Sequence, residues 1–204
     1  MANLHKALVT GFDAFGGDAI NPSYEAVQRL PSRIGRLDVV TAQLPTAFAR
    51  AARRLRALIA REQPAVVLCV GLAAERAAIS VERVAVNLCH ARIADNDGRK
   101  PVDKAVIANG PAAYFSTLPV AAVVKALERA GLRAESSMSA GTFVCNHVFY
   151  SLMHDVARQR GAHRIQRAGF VHVPALPPTN TQRALAELTR GLDIVLRVAQ
   201  RAKQ

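Results

Sequence analysis

Two hydrophobic rhythms alternate along this chain. Residues 7–10 begin a buried strand that ends at Gly11, and 39–43 read as another strand. Residues 65–70 (AVVLCV) are apolar without interruption up to Gly71, the pattern of a strand covered on both faces. Between these runs the period lengthens. Asn21-Pro22-Ser23 opens a helix, with Asn21 or Ser23 able to cap it. Over 46–62 helical spacing turns Phe48, Leu55, Leu58 and Ile59 inward, and Pro64 stops the element. A β-branched run at 79–88 reads as a strand. The stretch 90–118 has no period, and Asp95-Asn96-Asp97-Gly98 marks a turn. A helix at 120–130 ends at Gly131, a strand follows at 133–139, and a helix over 145–160 is capped by Gly161. The pattern closes with a strand at 169–173 before Pro174 and a helix from 179 onward. Alternating strands and helices predict a single α/β domain over 1–204. Its three layers would be a twisted, mostly parallel (mixed) sheet with helices on both faces.

Composition narrows the function classes. Half of the residues are hydrophobic and 21% are charged, a globular balance. Apolar runs stay well short of the roughly 18–20 residues a membrane span needs, and the first residues lack the apolar core of a signal peptide. Three cysteines, Cys69, Cys89 and Cys145, cannot all pair within the chain and form no CxxC. A reducing, cytoplasmic setting is expected, with no membrane partner.

The 27 Lys and Arg against 15 Asp and Glu give a net charge of +12, which permits a nucleic-acid partner on electrostatic grounds. The arginines are spread, however. Arg50, Arg53, Arg54 and Arg61 recur at helical spacing, as do Arg190, Arg197 and Arg201, so they read as solvated helix faces. No aromatic side chains interleave with them as stacking on single strands requires. No nucleic-acid partner is expected.

Candidate chemistry gathers around Ser139-Ala-Gly-Thr-Phe-Val-Cys-Asn-His147. This segment sets a thiol in the first turn of a helix, after a glycine-containing loop. Free N–H groups and the helix dipole there favour a thiolate and can face an oxyanion. A core role for Cys145 competes, because it shares a stripe with Val148, Phe149, Leu152 and Val156. Cys69 reads as structural, and Cys89 has no sequence partner. A thiol nucleophile needs a base. His5, His90, His154 and His163 read as surface residues, and His147, two positions after Cys145, is poorly aimed. His172 stands near the end of a strand in Gly169-Phe-Val-His-Val-Pro174, although a core histidine is the commoner outcome for such a position. Glu82 is a carboxylate inside a β-branched strand, costly unless paired. Arg83 points to the other face. Glu82 is either the orienting carboxylate of a triad or half of a structural ion pair. Neither a metal site nor a nucleotide loop is supported by spacing, so no cofactor is expected.

These segments together resemble the pyroglutamyl peptidase I family (pyrrolidone-carboxylate peptidases). The resemblance runs from Val9-Thr-Gly-Phe-Asp-Ala-Phe-Gly-Gly17 and Asn21-Pro-Ser23 through Glu82-Arg-Val-Ala-Val-Asn87 and Ala91-Arg-Ile-Ala-Asp-Asn96. It continues through Gly110-Pro-Ala-Ala-Tyr114 and Ala140-Gly-Thr-Phe-Val-Cys-Asn-His147 to the His172 strand. It implies a cysteine peptidase that removes an N-terminal pyroglutamyl residue from small peptides through a thioester acyl-enzyme. Cys145 would be the nucleophile, His172 the base and then acid, Glu82 the orienter, and Arg92 a stabiliser of the reacting carbonyl. Phe12 and Phe15 would clamp the flat lactam ring, with Gly71, Leu72 and Phe143 also at the substrate. A homo-oligomer, dimer or tetramer, is implied as well.

Rival readings are a catalytically impaired peptide-binding homologue and a basic nucleic-acid-binding protein. The chain departs from the family at Gly71-Leu-Ala-Ala-Glu-Arg76, where a glutamine and then glycines are usual, and at Ala14, where proline is common. An altered KM is expected from Leu72 and Glu75, with catalysis retained.

Overall fold

The alternation of side chains along each strand divides the core in two. The computed structural model describes residues 5–159 and 164–201. In chain order its elements are β1 (His5–Phe12), α1 (Pro22–Val27), β2 (Arg33–Ile34), β3 (Leu37–Leu44), α2 (Phe48–Glu62), β4 (Val66–Leu72) and β5 (Ile79–Glu82). There follow β6 (Val84–Val86), β7 (Ala113–Phe115), α3 (Val120–Arg129), β8 (Ala134–Ser137), α4 (Val144–Arg158), β9 (Arg167–Val173) and α5 (Thr181–Arg201). Seven strands form one sheet in the order β2-β3-β1-β4-β9-β5-β8, and β6 pairs with β7 in a separate ribbon. The pairs β3-β1, β1-β4 and β4-β9 are parallel, whereas β5 runs antiparallel to β9 and carries β8 parallel to itself. The sheet is mixed and mostly parallel.

In β4, Val66, Leu68 and Val70 face one layer, which α1, α3 and α5 close with residues such as Ala26, Val123, Leu127 and Leu192. Val67 and Cys69 face the other, closed by Phe48, Leu55 and Leu58 of α2 and by Val148, Phe149 and Leu152 of α4. The same parity in β9 sends Val171 and Val173 to the first layer, and Ala168 and Phe170 to the second. Burial on both faces explains the unbroken apolar run of the central strand.

The expected strand over 79–88 divides. At Arg83 the chain leaves the main sheet: its N–H donates to Ser137 O at 2.8 Å and its carbonyl accepts from Ser116 N at 2.8 Å. The β6 segment then pairs with β7, which the aperiodic 90–118 stretch conceals, and β2 is only two residues long. Buried Asn146 of α4 fastens this ribbon, accepting from Val86 N and donating to Val86 O and Leu88 O. Asn87 likewise holds the backbone at Ile107 and Gly110. Helix α3 ends at Gly131, whose φ of 75° is the left-handed geometry of a helix stop. The cap expected at Gly161 lies outside the described residues.

Helix α2 begins at Phe48 rather than at 46, and its first turn is capped from a distance. Buried Asp95 accepts from Phe48 N at 2.9 Å with one oxygen, and from Asp97 N and Arg99 N with the other. What reads in sequence as a turn is also the N-terminal anchor of a helix almost fifty residues earlier. Among the described residues no helix is long and apolar enough to cross a membrane.

Candidate active site

Register assembles the site. Gly71 of β4 is the partner of His172 in β9, and His172 is the partner of Ser80 in β5. Period two places Glu82 two residues past Ser80 on the same face, the face that packs against α2 and α4. The Nδ1 of His172 lies 2.8 Å from Glu82 Oε1, with His172 4% exposed and Glu82 fully buried. Burial pushes the Glu82 carboxyl up, but hydrogen bonds, chiefly from His172 and also from Arg76, outweigh it and hold it below its ordinary value. Ionised Glu82 can only accept, so His172 carries its proton on Nδ1 and keeps Nε2 as a base.

Helix α4 delivers Cys145 in its first turn to the same cavity. Its N-cap, Phe143, is extended and makes no side-chain capping bond, so no side chain competes for the N–H groups of the first turn. Gly71 stands behind the sulfur rather than in the cavity wall. A methyl group added there would come within 2.8 Å of Cys145 Sγ and 2.8 Å of the Phe170 ring. Only glycine lets β4 approach the thiol this closely. The preference of a helix start for the thiolate is overridden. Burial, with the negative fields of Glu82 and Cys69, pushes the Cys145 thiol up to about 12, against a smaller opposing effect of Arg76.

The cavity, about 860 Å³ in volume, is lined by Phe12, Phe15, Leu72, Arg92 and Phe143 as well as by Cys145 and His172. Phe15 and Phe143 pack together at 5.3 Å between ring centroids, and Phe48 meets Phe143 edge-on at 5.2 Å. Phe12 is almost wholly buried and packs on Phe170 at 6.3 Å. The Phe12–Phe15 loop is fixed from several sides. Ser23 Oγ accepts from Phe12 N at 3.0 Å, Asn21 Nδ2 donates to Asp13 O at 2.8 Å, and Asp13 Oδ1 accepts from Thr46 N. Arg92 is exposed at the mouth. The departing segment forms a wall, because Leu72, Ala73, Ala74, Glu75 and Arg76 all line the cavity.

Three partnerships escape a reading of the sequence alone. Arg76 Nη1 lies 2.6 Å from Glu82 Oε1, and its Nη2 donates to Ser139 O at 2.8 Å. Cys89 has a partner after all: its buried Sγ is 3.3 Å from Nδ1 of His147, whose imidazole burial drives down to about 4. His154 is half-buried rather than a surface residue, 2.9 Å from the Tyr114 hydroxyl and stacked on Tyr150. His90 is exposed, as expected, and pairs with Asp103 at 2.8 Å. His163 and the side chain of His5 lie outside the described residues.

A family profile described as pyroglutamyl peptidase matches residues 5–197. The chain belongs to the pyroglutamyl peptidase family. It is 48% identical over 204 residues to pyrrolidone-carboxylate peptidase 1 of Ralstonia nicotianae, covering 97% of this chain and 94% of that one. It is 43% identical to the pyrrolidone-carboxylate peptidase of Bacillus cereus, covering 96% and 93%. Among solved structures, pyroglutamyl peptidase I of Bacillus amyloliquefaciens superposes with a TM-score of 0.89 at 42% identity over 96% of each chain. The pyrrolidone carboxyl peptidase of Thermococcus litoralis does so with a TM-score of 0.90 at 34% identity, over 96% of this chain and 93% of that one. Membership in this peptidase family favours the peptidase reading over the nucleic-acid-binding one.

Proposed function

We propose that this chain acts as one cysteine peptidase domain that removes an N-terminal pyroglutamyl residue from peptides. The observation that carries the reading is the buried His172–Glu82 pair at 2.8 Å, sharing a cavity with a thiol at an uncapped helix start. The lactam ring enters between aromatic walls that include Phe12, Phe15 and Phe143. A charged amino terminus loses too much hydration to follow it, whereas the neutral lactam does not. His172 Nε2 takes the proton of the neutral Cys145 thiol as sulfur attacks the pyroglutamyl carbonyl. First-turn N–H groups of α4 hold the oxyanion, assisted by Arg92 at the mouth. The imidazolium, steadied by Glu82, then protonates the departing amine, and water releases pyroglutamate from the thioester.

The test is hydrolysis of a pyroglutamyl fluorogenic amide beside prolyl and glutamyl amides, before and after thiol alkylation. Selective cleavage of the first, lost on alkylation and in a folded C145A variant, is expected. Undiminished turnover by C145A overturns the assignment. Leu72 and Glu75 stand in the wall, so L72Q should shift KM and leave kcat near that of the parent. We further propose a cytoplasmic homo-oligomer, dimer or tetramer, which light scattering on the purified protein would resolve.

A further inference from the structure

Among the described residues, Arg76 is the one permanent cation that an ion pair links to buried Glu82, whose other partner is His172. It bonds the same oxygen, Oε1, that His172 Nδ1 occupies, leaving Oε2 with no hydrogen-bond partner. Its second nitrogen reaches Ser139 O in the loop that leads into the Cys145 helix. That loop turns at Gly141, φ 73°, immediately before α4. One planar guanidinium therefore fixes the carboxylate and the loop together, a geometry an ammonium cannot duplicate.

We propose that Arg76 is a positioning residue of the reaction: it shares Glu82 with His172 and ties the carboxylate to the loop that carries the nucleophile. The proposal rests on the triad reading above. Sharing Oε1 has a chemical consequence. A carboxylate left to His172 alone stabilises imidazolium more strongly, and the nearby guanidinium opposes that charge directly. Arg76 thus offsets part of the negative charge that steadies the imidazolium formed during the reaction, which favours return of its proton to the leaving amine. The titratable groups facing this pair are Glu82 from β5, Cys145 from α4 and Cys69 from β4. At the cavity wall they are Asp18, Glu75, His90 and Arg92. None of these bonds both Glu82 and the Ser139 loop, as Arg76 does.

The experiment compares the parent, R76Q, R76K and C145A with a pyroglutamyl fluorogenic amide across pH. It also follows the pH dependence of inactivation by iodoacetamide. For R76Q, kcat should fall on the order of 100-fold with KM changed much less. The acid limb of kcat/KM should move up by about one pH unit, because the Glu82 pair at the site loses the positive charge of the guanidinium. The alkylation profile should move up as well, since the thiolate loses a nearby positive charge. R76K keeps the charge but not the fork, so its limbs should stay near those of the parent while kcat falls. Unmoved limbs in R76Q, whatever happens to kcat, overturn the proposal and leave Arg76 a merely structural ion pair. If R76Q does not fold, R76K carries the test, and a parental kcat in R76K overturns the proposal. Activity in C145A would instead overturn the triad reading itself, whatever the Arg76 variants do.

Discussion

Cys145 is a nucleophile candidate with its proton still on. Its pKa is raised, to about 12, chiefly by burial, and a raised thiol pKa keeps the neutral form throughout the physiological range. Under the proposed mechanism, attack is then coupled to proton transfer to His172, rather than starting from a resting thiolate–imidazolium pair. Loss of activity to iodoacetamide should accelerate with pH up to about 10 without levelling off. A plateau reached below pH 7 would show a preformed thiolate and contradict the burial argument. Cys69, fully buried and likewise pushed up to about 12, and Cys89, pushed up to about 11, should stay unlabelled while the fold holds. Gly71 gives a second test at this scale. In G71A the new methyl meets the sulfur on one side and the Phe170 ring on the other, both 2.8 Å away. One must shift, so kcat should drop on the order of 100-fold with about 1–3 kcal/mol of destabilisation from overpacking. Parental kinetics in G71A would mean that the thiol has room to move without consequence.

At the scale of elements, what periodicity can express was readable and what distant partners decide was not. The strand at 65–70 and the helices over 46–62 and 120–130 announce themselves because burial on one or two faces leaves a repeating imprint. The two-residue β2 has no room for a repeat, and β7 (AYF) is exposed at both ends. Nothing local in 79–88 says that pairing changes sheets at Arg83, since both halves stay β-branched. Glu82 and His172 were conspicuous as polar residues in apolar strands. Arg76 was not, because an arginine in a loop looks like any surface arginine until its fork meets a buried carboxylate. Asp95 makes the same point for stability. Its carboxylate caps α2 through Phe48 N and folds its own loop through Asp97 N and Arg99 N. Replacing it with alanine leaves three donors without their acceptor. D95A should lose at least about 1 kcal/mol, lowering Tm by about 2–4 °C, as calorimetry would measure. An unchanged Tm would show that water replaces the carboxylate at no cost.

Across the whole molecule the net charge of +12 and the cavity are separate features. The arginines of α2 and α5 lie on exposed faces, and several are engaged locally: Arg50 with Asp97, Arg56 with Asp155, Arg183 with Glu187 and Arg197 with Asp193. Such exposed pairs contribute little to stability, and salt screens them. The cavity lining is mixed in sign, with Asp18 and Glu75 alongside Arg76 and Arg92. Long-range attraction is therefore not focused on the thiol, and a neutral lactam would gain little from it. Turnover of an uncharged pyroglutamyl amide should accordingly change less than about twofold between low salt and roughly 0.5 M. A random DNA duplex added at about 150 mM salt should not inhibit, because scattered paired arginines release few counterions when they meet phosphates. Inhibition that is strong at low salt and falls steeply as salt rises would place a polyanion over the mouth. The arginine faces would then have to be treated as a binding surface rather than a solvated one.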